Sequence, residues 1–138
     1  MEKNCIFCKI IAGEIPADKI YENDKVIAFL DVSPVNPGHT LVTSKQHFEN
    51  MQATPDSVLC DLISAVKKVS KAVIKVTGAD SFNLDLNNGK TAGQIVPHIH
   101  FHIIPRFAED GYAHWKGKIK YSDGESKQIA EAIKKKIK

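Results

Sequence analysis

The chain has 138 residues, 43% of them apolar and 25% charged, with a net charge of +3. That composition excludes intrinsic disorder. It also excludes a disulfide-stapled miniprotein, because a domain of this size buries roughly 68–70% of its unfolded surface without covalent help.

No apolar run approaches the ~18 residues of a membrane helix, and Met1-Glu2-Lys3-Asn4-Cys5 is not a signal peptide. One domain over residues 1–138 is expected, in the cytoplasm and without a membrane partner. The 19 Lys and Arg only slightly exceed the 16 Asp and Glu. Lys134, Lys135, Lys136 and Lys138 crowd the end of the chain, and the rest carries no basic stripe. No nucleic-acid partner is expected.

In chain order, Cys5-Ile6-Phe7-Cys8 comes first. In a cytosolic chain such a pair reads as metal-binding or redox-active. Ile10 to Pro16 predicts a short helical turn closed by Gly13, and Ile20-Tyr21-Glu22 a strand. A turn at Asn23-Asp24 leads to an apolar strand, Val26 to Leu30. Ser33 to Gly38, with two prolines, reads as a loop, and His39 to Thr43 resumes strand.

The central helix is announced by Thr54 as N-cap and Pro55 at the first helical position. Leu59, Leu62, Ile63, Val66, Val69, Val73 and Val76 form its apolar stripe, and Gly78 ends it. Cys60 within it is expected to be a buried, inert thiol. Phe82 to Leu86 alternates as a strand, and Asn87-Asn88-Gly89 signals a turn. Val96 to Pro105 predicts the strand that pairs with it, antiparallel. A final helix from Ser126 carries Ile129, Ile133 and Ile137 on one face. Strands, helix, strands, helix argue an α+β fold with an antiparallel sheet.

The chemistry is concentrated in Pro97-His98-Ile99-His100-Phe101-His102-Ile103-Ile104-Pro105. Residues i, i+2 and i+4 of a strand point to one face. The three imidazoles are therefore expected on one side, with Ile99, Phe101 and Ile103 packed on the other against the central helix. Burying three imidazoles as mere core would demand a partner for each. At ~3.3 Å per residue the outer two stand ~13 Å apart, too far for one zinc with bonds of ~2.0–2.1 Å. At least one imidazole is left for nucleophilic or proton-transfer work.

His98-Ile99-His100-Phe101-His102-Ile103-Ile104 resembles the signature of the histidine triad (HIT) family. The likeness covers nearly the whole chain, through Cys5 to Ile11, Ala28 to Pro34, Pro37 to Val42, Asn87-Asn88-Gly89 and Ala92-Gly93-Gln94. It runs towards prokaryotic members of the Hint branch. The resemblance implies an α+β fold with a five-stranded antiparallel sheet, a long central helix and a C-terminal helix, in a homodimer whose sheets join.

It further implies hydrolysis or transfer at the α-phosphorus of purine nucleotide phosphoramidates or dinucleoside polyphosphates, through a nucleotidyl-histidine on His100. His102 would contact the phosphate and His39 would orient the cluster. Asn87, Gly93 and Gln94 match the phosphate site, Asp31 the acid that holds the ribose, and Phe7, Ile10, Phe29 and Val32 the base pocket. A purine nucleotide is the implied ligand. Relatives often carry Ser or Thr where this chain has Ile95, whose backbone N–H is all it can offer the leaving group. Some relatives also bind zinc through residues matching Cys5, Cys8, His47 and His98, which implies one structural zinc. A redox pair is disfavoured, since no strand precedes Cys5 as a thioredoxin-like unit requires. The rival readings are a nucleotide-binding interaction protein with residual hydrolysis, and a mononuclear zinc hydrolase.

Overall fold

A computed structural model of the chain describes residues 2–138. In order, its elements are α1 (Ile6–Ile11), β1 (Lys19–Glu22), β2 (Val26–Leu30), β3 (Thr40–Ser44), α2 (Asp56–Thr77), β4 (Ser81–Leu86), β5 (His100–Arg106) and α3 (Glu125–Lys136). The strands form one antiparallel sheet ordered β1-β2-β3-β5-β4. The α+β fold with five antiparallel strands, a long central helix and a C-terminal helix is as expected.

Alternation along the strands divides the core between the two sheet faces. Val26, Ala28, Val42, Phe101 and Ile103, joined by Ile99, meet Leu62, Ala65, Val66, Val69 and Val73 of α2. Ile27, Phe29 and Leu41 meet Cys5, Phe7, Cys8 and Ile10 around α1. Because helices cover both faces of β2, its sequence Val-Ile-Ala-Phe-Leu is apolar without a break, and its first four residues are buried. Gly78 ends α2 in the left-handed conformation at φ +75° and returns its N–H to the Ile74 carbonyl.

Several sequence expectations shift. The N-terminal helix starts earlier than Ile10, at Ile6, because the Cys5 thiol accepts the Cys8 N–H and caps its first turn. Pro55 is itself the N-cap of α2, and Thr54 instead donates its hydroxyl to the Asn50 carbonyl at 2.7 Å. Cys60 is exposed, because one residue past Leu59 is a turn of 100° away from the apolar stripe. β5 begins at His100 rather than Val96. Pro97 cannot donate to a ladder, and the Ile99 N–H goes to the Phe48 carbonyl at 2.7 Å.

Candidate active site

The histidines gather on the α1 face of the sheet. In register, Thr43 of β3 lies opposite His100, while Leu41 of β3 and Asp85 of β4 flank His102 from either side. His100 and His102 have ring centroids 4.9 Å apart, and His39 reaches His102 from the loop before β3 at 5.2 Å. The Phe7 ring of α1 stands edge-on to His100 at 4.9 Å and to Phe29 at 5.5 Å. His98 precedes the strand yet remains on the same side, since Phe7 also touches its ring, at 6.0 Å.

Backbone groups set the tautomers of His39 and His100, and His39 in turn sets that of His102. His100 Nδ1 donates to the His98 carbonyl at 2.7 Å, which leaves Nε2 with its lone pair. The Val35 N–H donates to His39 Nδ1 at 3.0 Å, so the His39 proton sits on Nε2. That Nε2–H donates to His102 Nδ1 at 2.9 Å, which puts the His102 proton on its Nε2. One ring thus offers a lone pair and its neighbour an N–H.

Burial is the main reason His39, His100 and His102 all titrate below the ordinary imidazole value of 6.5. Asp31 and Asp85 oppose the shift at His39 and His102. Asp31 Oδ2 lies 3.6 Å from His39 Nε2, while its Oδ1 accepts the Ser33 N–H at 2.8 Å. Asp31 therefore acts both as turn cap and as a carboxylate facing the cluster.

Of the implied nucleotide-site residues, Phe7, Ile10 and Phe29 are buried together beneath the histidines. Val32 and Ile95 stand out in solvent at 93% and 91% exposure, so both are free to meet a ligand. Gln94 is occupied by the loop itself: its Oε1 accepts the Gly89 N–H at 2.8 Å and its Nε2 donates to the Glu49 carbonyl at 2.6 Å. Gly93, at φ +93°, closes the short helical turn Lys90–Ala92, with the Asn87 amide alongside. The sequence reading missed the backbone groups that hold the rings, which leave no mark in side-chain identity. It also missed Asp85, which the alternation Asn83-Leu84-Asp85 could have placed on the histidine face.

Cys5, Cys8, His47 and His98 form a second cluster whose donor atoms all lie within 4.8 Å of one another. His98 Nε2 donates to the Ser44 carbonyl at 2.7 Å, leaving Nδ1 unprotonated 3.3 Å from Cys5 Sγ and 3.6 Å from Cys8 Sγ. His47 Nδ1 is 3.5 Å from Cys8 Sγ. Burial pushes His98 down to about 4, so it stays neutral, and burial raises the Cys8 thiol. Two thiols and two imidazole nitrogens at this spacing are close enough to hold a metal ion.

A histidine cluster with one free lone pair and one N–H, beside a glycine-bearing loop, is suited to phosphate chemistry. Residues 12–109 match the HIT domain, and the chain belongs to that family. It is 52% identical over 119 residues to an uncharacterised HIT-like protein of Methanocaldococcus jannaschii, with 86% of this chain and 92% of the relative covered. It is 42% identical to a protein named adenosine 5'-monophosphoramidase in Schizosaccharomyces pombe, with 98% and 99% covered. The crystal structure of a HIT-family protein from Bacillus subtilis superposes with a TM-score of 0.90 at 42% identity, covering 99% of each chain.

Proposed function

We propose that the protein hydrolyses purine nucleotides substituted at the α-phosphorus, such as adenosine phosphoramidates, through a nucleotidyl-histidine on His100. The observation that carries this reading is the pair of tautomers. His100 Nδ1 is tied to the His98 carbonyl, so its free Nε2 is the nucleophile. His102, held by His39, presents Nε2–H to a non-bridging phosphate oxygen. The name of the fission-yeast relative supports the substrate class.

In the first step the His100 Nε2 lone pair forms a bond to phosphorus and the bond to the leaving amine breaks. The amine departs with its electron pair and takes a proton from solvent. The positive charge that develops on the ring is shared with the His98 carbonyl through Nδ1–H. Water then attacks phosphorus on the side opposite His100 and gives up a proton to solvent, the P–Nε2 bond breaks with its electron pair returning to Nε2, and nucleoside monophosphate leaves. Two easier displacements replace one difficult hydrolysis. Phe7, Ile10 and Phe29 would form the apolar wall of the base pocket, with Asp31 on the ribose and the loop from Asn87 to Gln94 around the phosphate. Ile95, lacking a hydroxyl, would offer the leaving group only its N–H, so the proton that the departing amine needs would come from solvent.

The cluster of Cys5, Cys8, His47 and His98 fits a zinc ion held by four protein ligands, a closed and therefore structural site. Such an ion would link α1 to the segment that carries the carbonyl gripping His100.

The test is His100→Asn with an adenosine phosphoramidate. It should keep nucleoside monophosphate binding within a few-fold and lose turnover by several orders of magnitude. General-base loss alone costs only about 10²–10⁴-fold. Acid-quenched wild-type protein should carry one nucleotide on the triad peptide by mass spectrometry. A variant that keeps a tenth of the wild-type rate, or an adduct elsewhere, would refute the mechanism. Tight binding with no turnover in the wild type would favour an interaction protein instead.

A further inference from the structure

His39 lies at the end of a loop, yet its ring must keep one tautomer if His102 is to keep its own. In the stretch 32–37, between β2 and β3, every residue is exposed except Asn36. The Asn36 side chain turns inward and donates from Nδ2 to the Pro105 carbonyl and to Asp110 Oδ2, at 2.9 Å each. Both partners are acceptors, so only the NH2 end of the amide can face them, and a carboxylate in its place would repel both. Pro105 belongs to β5, three residues beyond His102. The loop that ends in His39 is thereby pinned to the strand that carries His102.

Asp110 is the fixed end of this clasp, with its side chain only 8% exposed. Its Oδ1 accepts from Arg106 Nη2 at 2.7 Å and from the Tyr112 N–H at 2.9 Å. Its Oδ2 accepts from the Phe107 N–H and the Asn36 amide, at 2.9 Å each. The Arg106 guanidinium holds the carboxyl down to about 2, so the group is charged near neutral pH. Hydrogen bonds to a charged acceptor are roughly twice as strong as neutral ones. At the other end, the Asn36 carbonyl accepts the His39 N–H at 3.0 Å, and the adjacent Val35 N–H reaches His39 Nδ1, also at 3.0 Å.

We propose that Asn36, Asp110 and Arg106 are positioning residues for the reaction, holding the Val35 N–H on His39 so that His102 keeps its proton on Nε2. This rests on the mechanism proposed above, in which that proton meets a phosphate oxygen. Without the clasp, the Val35 N–H leaves His39 Nδ1 and the opposite arrangement becomes available. His39 then carries its proton on Nδ1, and His102 Nδ1–H donates to His39 Nε2. The bond between the rings, 2.9 Å long, persists with its direction reversed. His102 Nε2 now turns a lone pair to the phosphate and repels it. Each ring stays neutral with one proton, so the exchange needs only water.

The experiment compares full-length wild type, Asn36→Ala and Asp110→Asn, isotope-labelled at the histidine nitrogens and made in zinc-replete medium. Asp110→Asn keeps the shape but sets an NH2 against donors. Asn36→Ala leaves the Arg106–Asp110 pair in place and carries the test if Asp110→Asn does not fold. Two-bond proton–nitrogen spectra report which ring nitrogen bears the proton, with no substrate present. Wild type is expected to show His102 as Nε2–H alone, and both variants a mixture. With an adenosine phosphoramidate, kcat should fall by about 10- to 100-fold, as for a small misplacement of a reacting group. KM should stay within about twofold, because the lost interaction belongs to the transition state. Val66→Ala, which loosens the core on the other sheet face, controls for lost stability and should move neither readout. An Asn36→Ala protein that keeps His102 wholly as Nε2–H would overturn the proposal, as would mixed tautomers with wild-type kcat. Equal changes in Val66→Ala would overturn it too. A wild type that forms no nucleotide adduct refutes the mechanism instead, and the substrate-free spectra still decide whether the clasp sets the tautomer.

Discussion

On the proposed mechanism His100 attacks only while its ring is neutral, and its surroundings favour the neutral form. Burial lowers its titration below 6.5, the His98 carbonyl pulls the other way and nearby His102 adds to the lowering. The acid limb of kcat/KM, which reports the free enzyme, is therefore expected below pH 6.5; a limb centred at or above that value would contradict this account. Stability carries the same sign. His98 is pushed down to about 4 by burial, so the unfolded chain takes up a proton that the folded one refuses. Between pH 6.5 and about 4, folding of metal-free protein should weaken as pH falls, levelling off once the folded ring also protonates. Denaturation midpoints at pH 7, 5.5 and 4 check this.

At the scale of elements, the loop before β3 matters as much as the strand that carries the triad. Gly38, at φ +92°, lets the chain pass under the end of α2, where a Cβ would come within 2.5 Å of Thr77 Cγ2. Gly38→Ala combines that overlap, typically about 1–3 kcal/mol, with a left-handed backbone cost of roughly 1–2 kcal/mol. His39 is the next residue, so activity should fall along with the melting temperature. Gly78→Ala, also at positive φ but with open space around it, should cost only the backbone part. Thermal melts of the two variants separate the contributions. Much at this scale is legible in sequence: alternation places Phe101 and Ile103 against α2, and Gly78 stops the helix. What is not legible lies in the main chain. Nothing in the letters says that the Ser44 carbonyl will hold His98, that the Val35 N–H will orient His39, or that Pro97 will keep His98 off the strand. Thr54 and Pro55 satisfy the rule for a helix start, yet the threonine hydroxyl finds a nearer acceptor in Asn50.

For the whole molecule, the cysteine–histidine cluster brings together parts of the fold that are distant in sequence. Cys5 caps α1 and Cys8 lies within it, His47 follows β3, and His98 leads into β5. If zinc occupies it, chelation should lower the melting temperature and slow turnover without abolishing it, because the ion touches no reacting atom. Elemental analysis of protein made in zinc-replete medium should find about one equivalent per chain. Less than half an equivalent, with Cys5 and Cys8 freely titratable, would reject the site. No helix among the described residues is long and apolar enough to cross a membrane.

The distance along the chain between Phe7 and His100 also has a consequence for synthesis. Phe7 is translated first and the His100 ring it meets some ninety residues later, with Cys5 and His98 separated by 93 positions. Local contacts form early and distant ones late, since closing a long loop must come before the contacts that reward it. A growing chain therefore carries α1 with only β2 and β3 to pack against until β5 has emerged from the ribosome. A chain halted before Pro97 would hold Cys5 without the His98 ring that stands 3.3 Å from it, and Phe7 without the His100 ring it meets edge-on. Such fragments should be caught by chaperones or degraded, whereas chains that have passed Arg106 should resist protease in a single step.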